Sequence, residues 1–187
     1  KNTEFVTIER VECMNYRADK YGNQLVFHFN DFYQPDKIFV KPNGLEEIEM
    51  LSLLYENGKL IAVYNNASKY SVIFEYTNGN LSMVRYCYGN DNTTEQNIRD
   101  AYADFENAVN VESYASARYN YNIDGYISGV EDIEAKKYTW YLTAGGKTVH
   151  ITEYSDNFHG QEVSYTYGES YTDVRSVGND ENLDTAD

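Results

Sequence analysis

Thirty acidic side chains and only three histidines define the chemical repertoire of this 187-residue chain. A glycoside hydrolase needs only two carboxylates placed across a cleft, one to protonate the leaving group and one to attack or to activate water. Glu75, Glu153 and Glu162 fall within or next to strand-like segments and are the candidates for such a pair, yet no local motif marks them. No Gly-x-Ser-x-Gly elbow is present for a serine nucleophile. His28 stands between Phe27 and Phe29, and His150 between Val149 and Ile151, so each points away from its apolar neighbours. His159 falls in a segment, Asn157–Gly160, that reads as a turn. No two histidines have the i, i+4 helical spacing of a zinc protease.

Two further stretches resemble known sites and fail on their neighbours. Gly145-Gly146-Lys147-Thr148 looks like the end of a phosphate-binding loop, but Tyr141 stands where that loop needs its first glycine. Val149 and Ile151 then alternate as in a strand, so the glycines read as a hairpin turn. Asp180-x-Asn182-x-Asp184 has the alternating oxygen ligands that open a calcium loop, but Thr185 replaces the required glycine, and an acidic tail is the simpler reading. These residues support no catalytic group, no metal site and no cofactor.

The aromatic residues offer a more specific expectation. Tyr138, Trp140 and Leu142 alternate with Thr139, Tyr141 and Thr143, and the following strand carries His150, Thr152 and Tyr154 on one face. If the second row pairs with that face across the Gly145-Gly146 turn, then Tyr141, His150, Thr152 and Tyr154 form one outward strip. Flat rings with polar tips suit stacking on sugars or anchoring a protein partner. The alternative is that these tyrosines cover a sheet through cross-strand pairs.

The elements that would position these residues follow from a recurring turn. Tyr55-Glu56-Asn57-Gly58-Lys59-Leu60 and Tyr76-Thr77-Asn78-Gly79-Asn80-Leu81 are two copies of Tyr-x-Asn-Gly-x-Leu. Asn-Gly favours a type I′ hairpin turn because both residues tolerate positive φ. Strand patterns flank the copies at 51–55, 60–64, 72–76 and 81–88. Looser relatives occur at Tyr21–Leu25, Asp124-Gly125, Gly145-Gly146 and Gly168. The expectation is an antiparallel β-meander of roughly ten to twelve strands, as a curved sheet, a partial barrel or a two-sheet stack.

One segment departs from this pattern. Ile98, Tyr102, Phe105 and Val109 recur at helical spacing, and Thr93 with Gln96 resembles a capping box. The expectation is one central amphipathic helix near 94–110, dividing a single domain, 1–187, into halves near 1–91 and 112–187.

Composition bounds the function. A formal charge of −15 argues against nucleic acid, which needs a basic surface, and against anionic membranes. No apolar run approaches the ~20 residues of a transmembrane segment. Lys1 in place of an initiating Met fits a mature chain whose leader has been removed. Cys13 and Cys87 could form one bridge in an oxidising compartment or remain buried thiols.

The hairpins resemble the Tyr-Asp-type units of Rhs proteins. They are also similar to the DUF4595 family of surface or periplasmic lipoproteins of gut Bacteroidetes, on residues 55–64, 76–86, 123–130 and 138–140 and the Asn182-Leu183-Asp184 tail. That resemblance implies a secreted or cell-envelope location and a lipid anchor upstream of Lys1, and it implies no reaction. The expected function is a non-catalytic binding module for a glycan or a protein partner. A carboxylate-dependent glycoside hydrolase and a structural scaffold domain are the alternatives.

Overall fold

A computed structural model of the protein describes residues 15–155 and 158–177. The strands of the described residues follow one another in chain order, from β1 to β13, as an antiparallel meander without crossovers. That order has two ends and does not close on itself. The described residues fall into two compact units. The first runs up to Ser71 and includes Gly89–Asn110; the second comprises Val72–Tyr88 and the described residues from Val111 onward.

The first unit contains β1 (Tyr16–Ala18), β2 (Gln24–Phe29), β3 (Pro35–Lys41), β4 (Ile48–Glu56), β5 (Lys59–Asn65) and the helix α1 (Glu95–Ala103). Its core lies where α1 packs on β4 and β5. Register explains which residues fill it. Ser52 stands opposite Tyr64 and Leu54 opposite Ala62, so these four share one sheet face, and all four are buried. Ile98 and Ala101, three residues apart on α1, are buried as well. Burying a side chain such as Ile98 contributes about 1.5–3 kcal/mol.

Polar bonds tie the helix start to the sheet. The Tyr64 hydroxyl donates to the Thr93 carbonyl at 2.7 Å. The Ser52 hydroxyl lies 2.6 Å from Glu95 Oε1 and 2.9 Å from Glu49 Oε1, and Lys37 Nζ donates to Glu49 Oε2 at 2.8 Å. Burial pushes the Glu49 carboxyl up, but bonds from Lys37, Ser52 and Asn66, with the Lys37 charge, outweigh it and hold the carboxyl below its ordinary range.

The helix differs from its expected span at both ends. Thr94, not Thr93, is the N-cap, and the reciprocal box is made with Asn97: Asn97 Oδ1 accepts from the Thr94 amide at 2.9 Å. Thr93 is buried one residue earlier, where its hydroxyl accepts from the Asn90 amide and donates to the Asn110 carbonyl. The helix stops at Ala103 because Asp104 Oδ1 accepts from the amides of Glu106 and Asn107, which would otherwise continue the helical ladder. Phe105 and Val109 therefore lie beyond the helix. It belongs to the first unit.

The second unit holds most of β6 (Tyr70–Thr77), then β7 (Asn80–Gly89), β8 (Val111–Tyr121), β9 (Ile127–Asp132), β10 (Lys137–Ala144), β11 (Lys147–Ser155), β12 (Phe158–Tyr167) and β13 (Thr172–Val177). The Asn-Gly turns form as expected: Asn57 and Gly58, and again Asn78 and Gly79, all have positive φ. A second turn type recurs that the glycines alone did not reveal. Asp19, Asn30 and Asn122 each use a side-chain oxygen to accept two backbone amides, two and four residues ahead. The residue three positions after each (Gly22, Tyr33 and Gly125) has positive φ. The strand β3 went unrecognised because this turn precedes it without Asn-Gly, and because Pro35 opens it. Proline is tolerated at a strand's first residue.

Candidate functional site

The six strands β8–β13 have few fully buried residues among those described, though many are half-buried. Among their described side chains only Thr152 is buried, besides Gly129. Their contact chemistry is therefore set by which face each residue occupies, and one irregularity decides that. The Gly145-Gly146 turn, with positive φ at both residues, places Ala144 opposite Lys147 and Thr143 opposite Thr148. A β-bulge then intervenes, so that Leu142 stands opposite His150, Trp140 opposite Thr152 and Tyr138 opposite Tyr154. Without the bulge, Tyr141 would have faced His150, the arrangement that the alternation predicts. With it, Tyr141 pairs with Ile151 on the opposite face.

The expected strip is thus divided. His150, Thr152 and Tyr154 share a face with Tyr138, Trp140 and Leu142, and Tyr141 does not. Thr152 is only 6% exposed, so it packs within the sheet. His150 Nδ1 lies 3.1 Å from Ser164 Oγ, and its Nε2 lies 3.9 Å from Glu162 Oε2. The residue that alternation placed in the wrong row is Trp140, which is 50% exposed beside Leu142 at 61%.

A glycine sets the position of the aromatic pair. Gly129 stands opposite Trp140 on one side and Asn120 on the other. The Tyr138 ring lies over the space a Gly129 side chain would fill, and its hydroxyl accepts from Asn120 Nδ2 at 3.0 Å. Tyr138 and Trp140 meet at 4.9 Å between ring centroids, tilted by 47°.

Asn120 also lines a cavity of about 680 Å³, a size suited to a small ligand. The β6–β7 turn contributes Thr77, Asn78 and Asn80, and the β8–β9 turn contributes Asn122. Ser82 and Tyr121 add hydroxyls to the lining, and the Tyr121 hydroxyl donates to the Leu81 carbonyl at 2.9 Å. Side-chain amides offer both donors and acceptors. Glu75, Met83, Arg118 and Ile123 also line the cavity, and Asn120 links its wall to Tyr138, whose ring meets that of Trp140.

Each candidate carboxylate is engaged by its own surroundings. Glu75 is ion-paired with Arg85, and Glu153 with Lys137 at 3.2 Å. Glu162 stands opposite Thr152, on the face away from Glu153. His28 packs on Phe39 at 4.4 Å and reaches Glu47 at 3.4 Å. The backbone of His159 pairs opposite Tyr154 in β12, not in a turn. Among the described residues no group of His, Cys, Asp or Glu side chains could hold a metal ion, and no helix is long and apolar enough to cross a membrane. Cys87 is a buried free thiol, and burial pushes its pKa up to about 12. Cys13 and the Asp180–Asp184 segment lie outside the described residues.

The class the fold defines is an antiparallel β-meander. No family model and no curated protein matches the chain. Among solved structures it is similar to a chain of TcdB2-TccC3, crystallised without its hypervariable C-terminal region, with a TM-score of 0.57 and 12% identity. The likeness covers 87% of this chain and 8% of that one, so this chain spans a small fraction of its structural neighbour's length. At that identity the likeness concerns the fold.

Proposed function

We propose that the chain is a non-catalytic binding module whose ligand is a carbohydrate, held on the Trp140 face. The observation that carries this reading is the half-exposed Trp140 ring against Tyr138, whose hydroxyl is bonded to Asn120 in the wall of a cavity bearing several amides and hydroxyls. A sugar presents hydroxyls that amide groups bond in both directions, and an apolar C–H face that stacks on an indole ring. Tyr154 and His150 extend the same face; Tyr141 serves the other side. An exported or cell-envelope location, as a lipoprotein of the DUF4595 type with its anchor upstream of Lys1, belongs to this proposal, because glycan polymers are abundant there.

Trp140 is the only tryptophan of the chain, so intrinsic fluorescence reports directly on the proposed contact. Titration with a panel of soluble polysaccharides should shift or quench the emission and raise the melting temperature. Binding to the folded state at a hundredfold excess over Kd adds about 2.7 kcal/mol. The melting shift should vanish in Trp140→Ala and weaken in Asn120→Ala. A panel that moves neither signal, or a shift that persists in Trp140→Ala, would remove the carbohydrate reading.

A second reading rests on a separate observation: β8–β13 fully bury only Gly129 and Thr152 among their described residues. A sheet with so few fully buried residues suits a scaffold domain completed by another polypeptide. Light scattering across a concentration series that shows only monomer would count against self-assembly of that kind.

A further inference from the structure

A different cavity, of about 510 Å³, lies between β7 and β8 and has another chemistry. Tyr86 and Tyr88 alternate along β7, and Glu112 and Tyr114 along β8, so each pair lines the cavity from one strand face. Glu134 reaches it from the β9–β10 turn, which is held to β8 by the Ile133 amide donating to the Ser116 carbonyl at 2.9 Å. The described residues that line it thus carry three phenol rings, two carboxylates and no cationic side chain.

The walls are arranged for a positively charged group. Tyr88 and Tyr114 are 52% and 56% exposed, and their rings meet edge-on at 5.8 Å with planes 68° apart, forming a corner. The Tyr114 hydroxyl donates to Glu112 Oε2 at 3.2 Å, which fixes the carboxylate beside the corner. That hydrogen bond, with the Glu112 charge, pushes the Tyr114 hydroxyl above its ordinary range. Aromatic faces attract cations within about 6 Å of the ring centre, and the two carboxylates of the lining supply the counter-charge. The net charge of −15 adds a long-range field of the same sign.

We infer that this cavity binds an organic cation, an ammonium or guanidinium group seated in the Tyr88–Tyr114 corner and neutralised by Glu112 and Glu134. A hard metal ion would want more oxygen ligands than two carboxylates provide and would gain little from the rings. The site is separate from the Trp140 face, and its test does not depend on carbohydrate binding.

Isothermal titration of the intact protein with choline, and in parallel with a lysine-rich peptide and its lysine-acetylated form, tests the assignment. Choline or the unmodified peptide should bind, more weakly as salt is added. Glu112→Gln, which keeps the shape of the side chain, and Tyr88→Ala should each lower the affinity about tenfold. Far-UV circular dichroism establishes that the variants are folded, and Glu112→Gln carries the test if Tyr88→Ala is not. Binding of choline alone assigns a small-molecule ligand; binding of the peptide alone assigns a protein side chain; both support an organic cation. No binding of either at millimolar concentration, unchanged affinity in Glu112→Gln, or peptide binding that survives acetylation would overturn the proposal.

Discussion

Tyr138 reaches across the β9 strand to Asn120, its hydroxyl accepting from Asn120 Nδ2 at 3.0 Å over the empty position of Gly129. A residue two strands away is bonded because the intervening residue has no side chain. The ring takes the place that a Cβ would occupy and so shields an otherwise bare stretch of backbone. This arrangement holds the Trp140 ring where it is, since the two rings touch.

Gly129→Ala should therefore displace the Tyr138 ring and destabilise the protein by about 1–3 kcal/mol, as overpacked positions do. The double variant Gly129→Ala, Tyr138→Ala should cost less than the sum of the single changes, because the clash is removed with the ring. Urea unfolding of the four proteins measures the coupling. Additive costs would show that the close approach carries no energy.

At Gly58 the backbone itself, and not crowding, sets the cost of substitution. Its φ is +76°, and a Cβ there would meet nothing within 4 Å. Gly58→Ala should lower stability by about 1–2 kcal/mol through the left-handed backbone alone, with no change in the denaturant slope. Urea unfolding of Gly58→Ala against the wild type checks both the midpoint and the slope.

Cys87 should be inert while the protein is folded. Its thiol is fully buried, with a pKa pushed up to about 12, so almost no thiolate exists at pH 8. In a Cys13→Ser background, Ellman's reagent should react with Cys87 only after denaturant is added. Rapid labelling under native conditions would show that β7 opens.

The Lys37–Glu49 pair should give stability an acid limb. The Glu49 carboxyl is held below its ordinary value of 4.5, so its contribution is present above that pH and is lost as pH falls through the depressed folded value. The bond to Glu49 and the surrounding carboxylates raise Lys37 above its ordinary 10.5, so its contribution is complete below that pH and fades as pH rises through the folded value. Glu49→Gln should flatten the acid side of the curve. Urea midpoints measured from pH 2 to 7 for both proteins test this, and parallel curves would refute it.

Much of the strand pattern was legible because turn chemistry is local. Asn57-Gly58 and Asn78-Gly79 adopt positive φ in any surroundings that let them, and the apolar alternation beside them marks strands without reference to distant residues. The Asx-led turns at Asp19, Asn30 and Asn122 were readable in principle, from an Asp or Asn followed by a glycine or tyrosine three residues on, but tyrosine is an uncommon choice at positive φ. The helix start was legible to within one residue. Its end was not, because the spacing of Phe105 and Val109 continues after Asp104 has diverted the backbone amides to its own carboxylate.

What the sequence by itself determined, then, is the meander: short-range backbone preferences and the absence of crossovers follow from consecutive hairpins. Which face each residue occupies was decided only in the tertiary structure. Face membership depends on register summed along a whole strand pair, and one extra residue near Val149 inverts it, moving Tyr141 to the Ile151 side and bringing Trp140 to the His150 side. The two cavities were equally hidden, because their walls come from strands and turns distant in sequence, Asn78 with Asn122 and Tyr88 with Tyr114, which meet only once the hairpins have paired.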